Sequence, residues 1–313
     1  MSKLAIEIKG LEKFYGKFQA LYGVDLEVNQ GEIFGFLGPN GAGKTTTIRC
    51  LLDLIRPQAG TMKVLGLDPA TDSLEIRKQI GYLPGELNLE ESLRVRQQIR
   101  YYNDLRGGGA DWAYIEELAE RMDLDLNRQI KNLSKGNKQK IGVIQTLMHK
   151  PKLVLMDEPT SGLDPLIQQE VYRMLREAQE NGTTVFFSSH IISEVEALAE
   201  RVAIIRKGVI VEEADPSDLK SMVLRRFVVR FKEQPDLAPF EASESISVLP
   251  GSKGRLIRLQ LEGEVDELIR ILAGMSIQDL DVERPSLEEI FLAYYEGGDF
   301  YDVRTTEVDG NVD

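Results

Sequence analysis

Cysteine is almost absent. Cys50 is the only one in 313 residues, so no internal disulfide framework can form, and the chain suits a reducing compartment. No run approaches 18 apolar residues, which excludes a segment that spans a bilayer. The N-terminal stretch "MSKLAIEIKGLEKFYG" has no apolar h-region, so no secretory signal is expected. The expected location is the cytoplasm, or the cytoplasmic face of a membrane as a peripheral protein. Basic residues are in deficit, 38 Lys and Arg against 51 Asp and Glu, for a net charge of −13. That argues against a broad duplex nucleic-acid surface, which needs clustered cations, but leaves room for a local phosphate site. The apolar share of 42% supports an ordinary packed core. The length allows one large domain plus a small one, or two of similar size.

What is present is a pattern of strands alternating with helices. Alternating apolar residues at 4–8 and 24–28 predict early strands, and 32–37 a third that runs straight into glycines. From 44 to 55 the spacing becomes helical and stops before Pro57. Residues 92–150 read as mostly helical, with Ile115, Leu118 and Met122 on one face and Ile141, Ile144, Leu147 and Met148 on another. Gly107–Gly109 separates two of these helices. "LVLM" (153–156) and "TTVFFSS" (183–189) have the character of strands buried on both faces. Helices at 166–179 and 191–199, with strands near 202–206 and 209–213, complete an α/β domain with a mainly parallel sheet. Past residue 220, strands at 226–231, 255–261 and 276–282 and helices at 264–273 and 286–295 predict a small α+β domain. The expected boundaries are 1–218, with a helical subdomain at about 86–150, then 219–296. An acidic, turn-rich tail, expected to be mobile, occupies 297–313.

"GPNGAGKT" (38–45) fits G-x-x-x-x-G-K-[ST], with a strand before it and a helix after it, the context that makes the pattern a P-loop. Gly38, Gly41 and Gly43 let successive N–H groups face a phosphate. Lys44 supplies a point charge for the β- and γ-phosphates, and the Thr45 hydroxyl can ligate Mg²⁺. Asp157 and Glu158 end the buried strand "LVLM". Ligands of open parallel sheets bind beyond the carboxyl ends of strands. Asp157 there suits a water-mediated Mg²⁺ contact and Glu158 a base or water-positioner for attack on a γ-phosphate. An Asp-Glu pair after a strand also suits a plain turn. His190 follows "TTVFFSS" at the same sheet edge, within reach of a γ-phosphate, although a lone histidine is more often structural. His149 ends a helix, where a helix-terminal role suffices.

With these pieces placed, residues 4–215 resemble the ATP-binding subunits of ABC transporters. "GPNGAGKTTT" is similar to the Walker A motif, which extends the nucleotide contacts to Pro39, Asn40, Ala42 and Thr46; "LVLMDEP" is similar to Walker B. "SGLD" (161–164) resembles the D-loop, His190 falls at the switch histidine, and Tyr15 occupies the place of the aromatic that stacks on adenine. The resemblance implies a P-loop NTPase fold with a mainly parallel sheet, an antiparallel β part and a helical subdomain. "LSKGNKQK" (133–140) falls at the family signature, usually LSGGQ, which implies that Ser134 and Gly136 contact the γ-phosphate of ATP held by the opposite subunit. A helix start with a Ser hydroxyl and an open Gly N–H is an anion site. Lys135 and Asn137 depart from the signature; Lys138 and Lys140 read as a solvated basic face. The glutamine expected after "Y-x-P" is also missing. Gly85 stands there, and Glu86 beside it is either an oxygen ligand or part of a surface turn. "PSLEEIFLAYYE" (285–296) resembles the end of ATPases that pair with exporter-type membrane subunits, and also reads as an amphipathic helix on its own sheet.

The resemblance implies an ATPase with ATP and Mg²⁺ as cofactors. A homodimer would close around two ATP molecules and drive export through a separate integral membrane subunit, with no nucleic-acid partner. A soluble ABC-type ATPase acting on DNA or ribosomes is the alternative. Against it stand the single P-loop, the absence of a long coiled-coil insertion between Thr45 and Asp157, and the negative charge. A regulatory module that hydrolyses little fits poorly with Glu158.

Overall fold

The structure is a computed structural model that describes residues 3–216, 225–243, 245–249, 251–261 and 265–283. The chain divides into two compact units, Met1–Pro216 and Ser217–Asp313.

The first unit carries two sheets. Strands β1 (Leu4–Tyr15), β2 (Phe18–Asn29) and β4 (Ala59–Val64) form a small antiparallel sheet in the order β2-β1-β4. The larger sheet runs β5 (Ile80–Leu83), β6 (Leu153–Asp157), β7 (Thr184–Ser189), β3 (Ile33–Leu37), β8 (Arg201–Arg206), β9 (Val209–Ala214). All its neighbours are parallel except β8 and β9. The unbroken apolar runs occupy the centre: every residue of β3, β6 and β7 is buried, as expected of strands covered on both faces. β9, at the edge, alternates between exposed and half-buried residues.

One core cluster draws on both sheets and on helix α1 (Lys44–Leu51). Ile6, Ile8, Leu21 and Leu26 from the small sheet meet Phe34, Phe36 and Phe186 from the large one, with Ile48 and Leu51 from α1. Phe34 and Phe186 stack with ring centres 5.9 Å apart. Fully burying each such side chain contributes about 1.5–3 kcal/mol. The P-loop therefore sits between a strand and a helix that are both fixed by packing.

Sequence periodicity left a gap at 56–91, which the structure fills with β4, α2 (Pro69–Gln79) and β5. β4 is mostly exposed, and α2 buries only Pro69 and Ile76, so neither shows the apolar period that betrays an element. The helix expected over 44–55 ends at Leu51, and the turn that follows holds Asp53 at φ 51°.

The helical part comprises α3 (Val95–Leu105), α4 (Trp112–Arg121) and α5 (Lys135–Leu147). Ile115, Leu118, Met122, Ile141, Ile144, Leu147 and Met148 are all buried. Asp111 caps α4 and Ser134 caps α5, each accepting from a backbone N–H of the first turn. α6 (Pro165–Glu180), capped by Asp164, and α7 (Ile192–Leu198) complete the unit. Among the described residues no helix is long and apolar enough to cross a membrane.

In the second unit, β10 (Arg225–Phe231), β11 (Ile246–Val248), β12 (Leu256–Leu261) and β13 (Ile277–Glu283) form an antiparallel sheet ordered β11-β12-β10-β13. Phe227, Val229, Phe231 and Leu259 pack with Phe240 of α8 (Ala238–Glu241) and Leu268 and Leu272 of α9 (Asp266–Ala273). The helix expected at 286–295 and the tail at 297–313 lie outside the described residues.

Arg121 fastens α4 to α6. Its Nε donates to Glu170 at 2.6 Å and its Nη1 and Nη2 to Glu177 at 2.6 and 2.8 Å. The hydrogen bonds from Arg121 hold the Glu177 carboxyl below its usual pKa. Arg121→Met is expected to lower stability by about 1–2 kcal/mol, the low end for charge-assisted bonds because Glu177 is half exposed. Glu177 is the depressed group, so its contribution is complete above the unfolded carboxylate pKa of about 4.3 and is lost as the pH falls through the lower folded value. Thermal melts of the two proteins should therefore differ by several degrees near neutrality, and the difference should close in acid.

Candidate nucleotide site

The P-loop joins β3 to α1. The Gly38 N–H donates to Ser189 O at 3.1 Å, and Ala42 donates to Pro39 O at 3.1 Å, which folds the loop back on itself. Gly43, at φ 117°, is the N-cap of α1, a conformation that a side chain would disfavour. Asn40 and Gly41 face solvent, Ala42 is buried, and Thr46 is half-buried on the first turn of α1. Lys44 is 5% exposed. Its ammonium donates to Gly38 O at 2.6 Å and Pro39 O at 3.2 Å, bracing the loop from inside. Burial pulls the Lys44 pKa down, while Glu158 and Asp157 push it back up.

The ends of β6 and β7 converge on this loop. Asp157, at the end of β6 and 2% exposed, accepts from the Thr45 hydroxyl at 2.6 Å and from the Ser188 hydroxyl at 2.5 Å. Glu158 lies 3.9 Å from the Lys44 ammonium and 2.9 Å from His190 Nδ1, both measured at Oε1. Lys44, Thr45, Asp157, Glu158 and His190 thus form one connected cluster.

The donor set fits a hard divalent cation. Thr45 and Asp157 offer two oxygens side by side, and among the described residues no group of three or more His, Cys, Asp and Glu could hold a metal alone. Mg²⁺ is held in this way, by one or two protein oxygens with phosphate oxygens and water supplying the rest.

Ser134 and Gly136 lie elsewhere, at the start of α5 and against residues 161–164. A Cβ on Gly136 would fall 2.4 Å from Gly162 O, so no side chain fits. Ser134 Oγ accepts from Asn137 N at 3.3 Å, which leaves its own proton free to donate. A cleft of about 440 Å³ opens here, lined by Ser134, Gly136, Asn137, Lys140, Gly162 and Asp164 among others. Lys135 Nζ reaches Ser161 Oγ at 3.4 Å, and Lys138 pairs with Glu91 at 2.8 Å. Tyr15, at the end of β1, is 44% exposed, with the Lys13 ammonium 5.4 Å from its ring centre.

The family model for ABC transporters matches residues 21–161. A daunorubicin resistance ATP-binding protein of Streptomyces coeruleorubidus is 34% identical over 303 residues, covering 93% of this chain and 96% of that protein. The chain belongs to the ATP-binding proteins of ABC transporters. A bacitracin transport ATP-binding protein of Bacillus licheniformis is 33% identical, covering 89% of this chain and 96% of its own length. Among solved structures, an ATP-binding subunit of an ABC transporter superposes with a TM-score of 0.63 at 28% identity, over 69% of this chain and 92% of that one. A dimeric bacterial ABC transporter cassette gives 0.62 at 24% identity, over 67% and 98%; it supports the fold.

Several features of this ABC ATPase differ from the sequence reading. Lys140 is no part of a solvated face: it is 7% exposed and donates to Asp123 O at 3.4 Å. Lys138 is tied to Glu91 rather than free. Glu86 is exposed, and it is Gly85 that lies against the cluster, with a Cβ position 3.2 Å from Asp157 Oδ2. Sequence reasoning passed over Ser188, although two serines closing an apolar strand beside His190 were a signal. Gln139 was passed over as well; one polar residue on a largely buried helix face gives little sign of its partners.

Lys44→Ala removes both the loop brace and the cation. Its affinity for ATP should fall at least about tenfold, the effect of losing one charge-assisted contact of about 1.5–3 kcal/mol. Titration with a fluorescent ATP analogue would measure the change.

Proposed function

We propose that the chain is the ATP-hydrolysing subunit of an exporter. It would work as a homodimer on the cytoplasmic face of a membrane, coupled to a separate integral membrane subunit. The observation that carries this reading is the cluster in which Glu158 faces both Lys44 and His190 beside the Thr45–Asp157 pair. The names of the two full-length relatives, a drug resistance and an antibiotic transport ATP-binding protein, support export.

In this reading Lys44 and the P-loop N–H groups hold the β- and γ-phosphates, and Tyr15 stacks on the adenine. Thr45 and Asp157 would hold Mg²⁺, which when bound would neutralise charge on the phosphate oxygens. Glu158 accepts a proton from the water that attacks the γ-phosphorus as the bond to the ADP oxygen breaks. His190, hydrogen-bonded through Nδ1 to the same carboxylate, orients it.

The partner copy would complete each site. The first turn of α5 holds no acidic residue, and its free N–H groups and positive dipole end suit an anion. The free Ser134 proton and the Gly136 N–H would meet the γ-phosphate bound by the other chain. Closure would then precede chemistry, and hydrolysis would release it.

Glu158→Gln should keep ATP binding, lower turnover by about a hundredfold or more, and accumulate an ATP-bound dimer in size-exclusion chromatography with light scattering. Undiminished turnover would remove Glu158 from its role. Ser134→Arg should block turnover while the variant chain still binds ATP. Specific activity that stays constant on dilution to a monomer would overturn the two-chain site.

A further inference from the structure

Helix α5 carries a buried polar side chain that the chemistry above does not use. Gln139 is 4% exposed. Its Nε2 donates to two consecutive carbonyls, Glu158 O and Pro159 O, each at 3.1 Å. The peptide it grips is unusual. Glu158 sits at φ 53°, the left-handed region that a residue with a side chain seldom adopts. The following Pro159 disfavours the right-handed alternative. Such a conformation persists only where its surroundings over-determine it.

Those surroundings hold Glu158 from two sides. Its N–H donates to Ser188 O and Ser188 Oγ, both at 3.2 Å, on β7. Its carbonyl is held by Gln139 on α5. The direction of the carboxylate, towards His190 and Lys44, follows from a backbone clamped between a strand and a helix.

We infer that Gln139 is a positioning residue for Glu158, and that through it the placement of α5 sets the aim of the carboxylate. This rests on the reading of Glu158 as the base. α5 begins next to Ser134, the residue that would meet the partner's triphosphate, and Gln139 lies five positions further on. An anion docking at the start of the helix would thus act on the base of the other site through one amide. Gly136 against Gly162 O and Lys135 against Ser161 Oγ fasten the same helix to the loop after Glu158, but Gln139 is what reaches the Glu158 peptide.

A merely structural Gln139, a buried amide that needs partners, would show in stability and not in turnover. Two variants of the full chain separate the roles. Gln139→Met keeps the length and removes the donor; Gln139→Glu turns an acceptor towards two carbonyls. The expected result for Gln139→Met is kcat lowered by about tenfold or more, with KM and affinity for ATP within about threefold of wild type. Gln139→Glu should be more impaired at mildly alkaline pH. Its kcat relative to wild type should recover as the pH falls, because a protonated carboxyl regains one donor. If folded Gln139→Met keeps the wild-type kcat, or loses kcat only in proportion to its unfolded fraction, the inference is overturned. If Gln139→Met does not fold, the pH course of the Gln139→Glu ratio decides, and a flat ratio overturns it. Turnover by Glu158→Gln would instead sink the reading of Glu158 as the base. An inert Glu158→Gln beside an unimpaired Gln139→Met sinks only the role of Gln139.

Discussion

A carboxyl group removed from water costs free energy unless its oxygens are hydrogen-bonded, and Asp157 meets that demand with hydroxyls from two separate elements. Thr45 comes from the first turn of α1 and Ser188 from β7. The register of the parallel pair sets Asp157 directly beside Ser188. Gly85, just beyond β5, leans against the same carboxylate. The ends of three adjacent strands and the P-loop helix are therefore indexed to one pair of oxygens. Each charge-assisted bond contributes about 1.5–3 kcal/mol, but their larger effect is geometric. They fix where Glu158, the next residue, leaves the sheet.

Much of this was legible in the sequence, for an identifiable reason. β3, β6 and β7 announce themselves as continuous apolar runs because they are buried on both faces, and the chemistry sits where those runs end. The P-loop is legible because its backbone path demands glycines at fixed spacing. The rest was hidden where tertiary contacts override local pattern. β4 and α2 bury too little to carry a period. Lys140 reads as a surface charge from its neighbours in sequence, yet it is enclosed where the start of α5 meets the turn after α4. Gln139 and Ser188 act through partners 19 and 31 positions away, and no local spacing encodes such a contact.

The lysines at the start of α5 show how a cluster of like charges can be tolerated. Cations at that end oppose the helix dipole. Here each has an occupation within its own chain: Lys135 at Ser161, Lys138 at Glu91, Lys140 at a backbone carbonyl. In the proposed reading, the capacity of this helix end to meet an anion then rests on backbone N–H groups and the Ser134 proton. Those groups are preorganised by the cap and need no reorganisation of long side chains.

The contact between Gly136 and Gly162 has a consequence for how such chains diverge. A side chain at 136 would collide with a carbonyl of the same polypeptide, so folding alone dictates the glycine, before any nucleotide is considered. A copy of this gene that had lost catalysis, with Glu158 replaced and its partner gone, would be held to that glycine all the same. Decay would be written earlier in the side chain of Glu158, whose contacts are to Lys44 and His190, than at that glycine.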